Sequence, residues 1–339
     1  MAHPERNFKN ILVIHFGQLG DVVLGLPAIR AIRRRFEDSK VTLLAGRSTE
    51  QIARLAEVAD EYVLVDRVAL RDGNKLRSIG KILSLVREIR KRRFDMVIDL
   101  HSLSETNLLG YLAGIKHRLY ANRESRSLDR LSNFRPRPPL EDKTQHAAAR
   151  YFDVLRPLGI NETDNDFTLP VRDADLAVVK EGFPEIFAVD DRLVGLFPGA
   201  GNPSRCWKLN NFAQLARQVS ASGFGPVVFL GPEEAGLRAE VARIFPEETV
   251  IVEGLTLGQF IAAVAQMKLF IANDTGPVHL AACAGVPIVL LLDERAPTTY
   301  LPLTKRIEVV RNQVIDQISV DDVFQAASRL LQNDKFRLA

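Results

Sequence analysis

Three segments hold residue types that could do chemistry together. In FGQLGDVV, Gly17 and Gly20 permit a tight turn and Asp21 stands where a helix should begin, so its carboxylate either caps that helix or takes a proton from a substrate hydroxyl. In FPGAGNPSRCWK, Gly199 and Gly201 let backbone approach a ligand, while Ser204, Arg205 and Lys208 suit phosphate oxygens. A basic surface loop with Trp207 anchoring the next helix is the competing reading. In NDTGPVH, Asp274, Thr275 and Gly276 precede a small-residue helix with Pro277 in its first turn, where open backbone N–H groups would point at a phosphate. His279 lies either at that site or packed in the turn, and Asp274 and Thr275 also suit a plain helix cap. The loop FLGPEEAG offers Glu233 or Glu234 to ribose hydroxyls. Asp173 and Asp175 form a D-x-D, but in a polar stretch rather than after a strand, and are read as solvated charges.

The elements that must position these residues follow a βα rhythm. Runs at 11–16, 41–45, 62–65 and 96–100 are apolar throughout, as in strands covered on both faces of a parallel sheet, with helical patterns between them. A helical stretch near 145–158 leads into GINETDNDFTLPVRDAD, which has neither period and reads as a linker. A second series has strands at 193–197, 227–230, 250–252, 269–272 and 288–292. The expected fold class is therefore α/β, with two Rossmann-like doubly wound domains at 1–165 and 176–339 facing a cleft, and with the last helix free to pack back on the first domain. A nicotinamide site is disfavoured, because the first loop has G-x-x-G rather than G-x-G-x-x-G and the second strand ends VTLLAGRS without an acid for a ribose.

With 339 residues, 46% apolar and 26% charged, the chain can bury two cores. Two cysteines, Cys206 and Cys283, form neither a disulfide framework nor a zinc spacing. The polar start MAHPERNFKN and the short apolar run after it give no signal peptide or span, so the expected location is the cytoplasm. The net charge of +3 hides an asymmetry: residues 1–160 hold 29 Lys+Arg against 19 Asp+Glu, leaving 16 against 23 for the rest. The basic segment 116–150, with Arg118, Arg123, Arg126, Arg130, Arg135 and Arg137, suits an anionic partner or the inner membrane surface, and solvated loop charge is the alternative. No nucleic-acid partner is expected.

Taken in order, G-x-x-G-D-V, P-G-x-G-x-x-x-R-x-W and N-D-T-G-P-x-H-L-A-A resemble the ADP-heptose:lipopolysaccharide heptosyltransferases, glycosyltransferase family 9, over nearly the whole chain. The resemblance implies a GT-B fold and an inverting, metal-independent transfer, with no cofactor, from an ADP-sugar donor held by the second domain to an anionic glycolipid acceptor held by the first. By position it makes Asp21 the catalytic base, puts Arg205 where the family usually has lysine at the diphosphate, makes Thr275 and Gly276 backbone phosphate contacts, and makes Glu233 a ribose-binding acid. Two departures touch the donor side: Lys208 replaces a common proline after Trp207, and DERAPTTYLP replaces a G-P-T-x-P-like turn. A third touches the acceptor side, where DLHSLSETN replaces a segment that often carries a basic residue. An epimerase of the same architecture and a silent nucleotide-sugar-binding protein remain as alternatives.

Overall fold

The apolar runs become the strands of two parallel sheets in a computed structural model, which describes residues 8–66, 75–124, 127–161, 166–188 and 192–333, and of residues 75–79, 203 and 333 the backbone alone. Two units result, Met1–Phe167 with Thr299–Leu301 and Thr168–Thr298 with Pro302–Ala339.

The first unit runs β1 (Asn10–His15), α1 (Leu19–Arg35), β2 (Lys40–Gly46), α2 (Glu50–Leu55), β3 (Glu61–Val65), α3 (Lys75–Lys91), β4 (Met96–Asp99), α4 (Ser104–Leu112), β5 (His117–Tyr120) and α5 (Ala147–Leu155). Its strand order is β3-β2-β1-β4-β5, all parallel. Alternation along β1 turns Leu12 and Ile14 toward one layer, where they cluster with Val86 and Ile89 of α3 and Leu109 of α4. Helices α1 and α5 pack together. The order reverses between β1 and β4, whose carboxyl ends, His15 and Asp99, form the switch point at which ligands enter such sheets.

The second unit runs α6 (Asp173–Gly182), α7 (Glu185–Ala188), β6 (Leu193–Phe197), α8 (Leu209–Ala221), β7 (Gly225–Leu230), α9 (Arg238–Ile244), β8 (Val250–Glu253), α10 (Leu257–Val264), β9 (Leu269–Asn273), α11 (Gly276–Cys283), β10 (Ile288–Asp293), β11 (Ile307–Asn312) and α12 (Val320–Asn333). Its order, β11-β10-β9-β6-β7-β8, reverses between β6 and β9. Gly195 is required in β6, because a Cβ there would stand 2.7 Å from the Phe270 ring. The final helix, which the sequence left free to return to the first domain, buries Val323, Ala326 and Ala327 in this second core beside Trp207 and Phe212.

Two details correct the sequence reading. The stretch read as linker already contains the start of α6, which packs on α10. Asp173 is exposed as expected, but the Asp175 carboxylate lies against the first turn of α10, where a Cβ on Gly258 would fall 2.4 Å from Oδ2. An acid at that place meets the positive end of the α10 dipole. Among the described residues no helix is long and apolar enough to cross a membrane.

Candidate active site

In the first unit β1 ends on His15, which is fully buried. Burial lowers its pKa to about 4, so the ring is neutral near pH 7. Its Nδ1 accepts the Gly17 N–H at 3.4 Å, and the ring stands edge-on to His101 and Tyr151, with centroids 5.6 and 5.0 Å away. The turn after it has no spare room, since a Cβ on Gly17 would lie 2.2 Å from Asp21 Cβ and 2.8 Å from His15 Cε1. Helix α1 begins at Leu19, so Asp21 is its third residue rather than its cap, and Oδ2 accepts the Gln18 N–H at 2.9 Å. The capping reading holds for one oxygen, Oδ2, which secures the helix start, and the same side chain also lines a cavity. Burial raises the Asp21 pKa, while the Gln18 N–H and the Arg150 charge work against that rise.

Asp21 lines a cavity of about 290 Å³ together with His101, Arg123, Glu141, Arg150 and Tyr300. Glu141 Oε1 receives Arg123 at 3.0 Å and Arg150 at 3.3 Å, and the Arg150 guanidinium lies over the Tyr300 ring, 5.0 Å from its centroid. Two cations share one carboxylate, and the Nε atoms of both arginines are buried without a hydrogen-bond acceptor. Such a pair is suited to a carboxylate or phosphate oxygen on a ligand.

The sequence did not reveal what holds the turn that brings Leu100 and His101 to the cavity. Asp99, at the end of β4, is fully buried and has its pKa pushed up to about 6 by desolvation. It accepts from Ser102 N at 2.7 Å, Thr106 Oγ1 at 2.5 Å and Asn107 Nδ2 at 2.9 Å. Ser102, at φ +45°, closes the turn and takes the Ala121 N–H at 2.7 Å, tying β4 to β5. His101 is carried into the cavity by this turn. The basic segment 116–150 is divided by the fold: Arg123 and Arg150 reach the cavity, Arg118 is spent on the carbonyls of Leu131 and Ile115, and Arg137 pairs with Asp129, while Arg126 lies outside the described residues.

In the second unit one buried residue gathers the two glycine-bearing loops. Asn273, at the end of β9, accepts the Trp207 N–H at 3.0 Å and donates to the carbonyls of Pro198 at 2.8 Å and Gly199 at 3.3 Å. Arg205 then stands 3.8 Å from Asp274, whose pKa is raised by burial and pulled back by that guanidinium. Thr275 is the N-cap of α11, with Gly276 and Pro277 in the first turn and His279 buried behind them. Ser204 bonds to Asn202, and Lys208 reaches Asp316 at 3.3 Å. Of the two glutamates, Glu233 is exposed, whereas Glu234 is buried against Gly199, where a Cβ would fall 2.0 Å from Oε1. Glu234 also accepts the Gly231 N–H at 3.2 Å, and burial raises its pKa. The replaced turn places Asp293 at the end of β10, where two short bonds from Arg295, 2.7 and 2.6 Å, hold its carboxyl well below the usual carboxylate range with help from Arg205.

Residues 82–325 match the model of glycosyltransferase family 9 (heptosyltransferase). The chain belongs to glycosyltransferase family 9. It is 24% identical over 340 residues to lipopolysaccharide heptosyltransferase 3 of Escherichia coli K12, covering 93% of this chain and 96% of that protein. A family 9 glycosyl transferase from Veillonella parvula superposes with TM-score 0.81 at 26% identity, covering 96% of this chain and 97% of that one. The structure of E. coli ADP-heptose lipopolysaccharide heptosyltransferase II superposes with TM-score 0.75 at 20% identity, covering 96% and 99%. The family member is thus a glycosyltransferase of the GT-B class, built from two doubly wound parallel units.

Proposed function

We propose that this transferase moves a heptose from ADP-heptose to an anionic sugar of a lipopolysaccharide inner core, in the cytoplasm, by a single inverting displacement that needs no metal. The observation that carries the reading is a half-sheltered carboxylate, Asp21, in one cavity with two arginines that share a single glutamate. Arg123 and Arg150 hold the acceptor's carboxylate or phosphate, which brings a neighbouring hydroxyl to Asp21. Asp21 removes the hydroxyl proton as the oxygen attacks the anomeric carbon, and burial has already raised its pKa toward that of an effective base. The departing ADP takes the bond's electron pair, and its developing charge meets Arg205 and the N–H groups at Thr275 and Gly276. The relatives named for ADP-heptose and lipopolysaccharide support this choice of donor and acceptor.

The test is Asp21→Asn. Turnover should fall by about 10² to 10⁴ while ADP affinity, measured by calorimetry, stays unchanged. A near-normal rate would reduce Asp21 to its helix-start role. Incubation with donor alone should leave the sugar intact, and isomerised sugar would replace the transferase reading with an epimerase.

A further inference from the structure

Of the ten large hydrophobic side chains exposed among the described residues, five sit on two adjacent helices of the first unit: Ile82 and Leu83 on α3, and Leu108, Tyr111 and Leu112 on α4. These helices are neighbours, since they share the cluster beneath them and Arg90 of α3 donates to the Leu112 carbonyl at 2.5 Å. Leu108 and Leu112 are four apart, so they stack on one α4 stripe; Leu83, Arg87 and Arg90 share an α3 stripe at spacings of four and three. The Arg118 guanidinium lies over the Tyr111 ring, 5.4 Å from its centroid, leaving an aromatic face bordered by a cation. At the C-terminal ends of the same helices opens a groove of about 730 Å³, with Phe8, Ile89 and Ile115 in its floor and Arg90, Arg93 and Lys116 around it.

We infer that this helix face and its groove form a docking surface for an anionic lipid bilayer. Apolar side chains at interfacial depth, a tyrosine among them, ringed by Lys and Arg, match a membrane whose hydrocarbon begins below a layer of negative headgroups. A second copy of this chain fits less well, because a symmetric contact would set Arg90, Arg93 and Lys116 against their own like charges. The acids nearest the groove do not cancel its rim: Glu88 is paired with Arg92, and Asp95 is taken up by the N–H groups of Lys9 and Asn10, while Glu105 sits at the far, N-terminal end of α4. The groove lies at the amino edge of the sheet, whereas Asp21 is at the carboxyl edge, so docking leaves the cavity open.

The experiment is sedimentation of the full chain with phosphatidylcholine vesicles made with and without phosphatidylglycerol. The protein should bind only the anionic vesicles and release as salt rises. Arg93→Gln with Lys116→Gln should weaken partitioning on the order of 30-fold, at about fivefold per charge near the surface. Leu108→Ser with Leu112→Ser keeps every charge and should weaken it on the order of tenfold by lost apolar burial. Both variants must keep wild-type ADP affinity, so failure to bind vesicles and failure of the donor reading are read separately. Absence of vesicle binding, equal binding by all three proteins, or a concentration-dependent dimer in ultracentrifugation that the leucine variant abolishes would overturn the inference.

Discussion

Asn273→Ala should damage the second unit more than its size suggests. The side chain is fully buried and makes three hydrogen bonds, to Trp207 N and to the carbonyls of Pro198 and Gly199. Truncation leaves the Trp207 N–H and the Pro198 carbonyl without partners, at about 1 to 3 kcal/mol for each buried group, so a loss of about 2 to 6 kcal/mol is expected. ADP must then itself hold together the loops that Asn273 now ties, and its affinity should drop between about tenfold and a hundredfold. Asn273→Asp should not rescue either property: it restores an acceptor for Trp207 but turns a carboxylate oxygen on two carbonyls. The chain has one tryptophan, Trp207, which is buried in the same unit, so urea unfolding followed by its fluorescence reports this unit selectively. Calorimetry with ADP supplies the second readout. An unchanged urea midpoint together with unchanged ADP affinity would show that the two loops hold their arrangement without Asn273.

Gly17→Ala would place a methyl group 2.2 Å from Asp21 Cβ, displacing the base, so kcat should fall by about a hundredfold with ADP affinity intact. Arg150→Gln removes a charge that opposes the raised pKa of Asp21, so that pKa should climb further. Because the base acts only when ionised, the acid limb of the kcat–pH profile should move to higher pH, and an unmoved limb would exclude the coupling. For Asp99 the native pKa of about 6 exceeds the ordinary 3.8, so between these values the folded chain keeps a proton that the unfolded chain releases. Its contribution is then full below about pH 4 and lost as pH rises through about 6, and the stability of wild type relative to Asp99→Asn should decline by up to about 3 kcal/mol across that window in denaturant titrations.

Strands covered on both faces were legible, because nothing polar interrupts LVGLF at 193–197 or IVLLL at 288–292. Each sheet hides an edge strand from the same reading. HRLY of β5 begins with two half-buried polar residues, and no position in β11 is buried, so neither shows a continuous apolar run. The site divides in the same way. Asp21, Thr275, Gly276 and Arg205 lie in short motifs with local geometry, and the fold keeps those motifs at strand ends. The choice between Glu233 and Glu234 needs tertiary information, since adjacent residues in a turn differ only in which one the neighbouring loop covers. The cavity was invisible for a stronger reason: Arg123, Glu141, Arg150 and Tyr300 come from separate segments, and no spacing rule relates them.

Those distant residues give the proposed reaction its timing. Glu141 is shared by two guanidiniums, and the charge of Arg150 also reaches Asp21 and keeps its pKa from rising as far as burial alone would drive it. An anionic acceptor seated on Arg123 and Arg150 adds negative charge close to Asp21 and offsets the cation that restrains it, so the carboxylate becomes a stronger base as its substrate arrives. A neutral acceptor of the same shape supplies no such offset and excludes water from the arginines without replacing their partners. Discrimination between the two should therefore appear in kcat as well as in KM, because the bound charge acts on the base in the step that breaks the O–H bond.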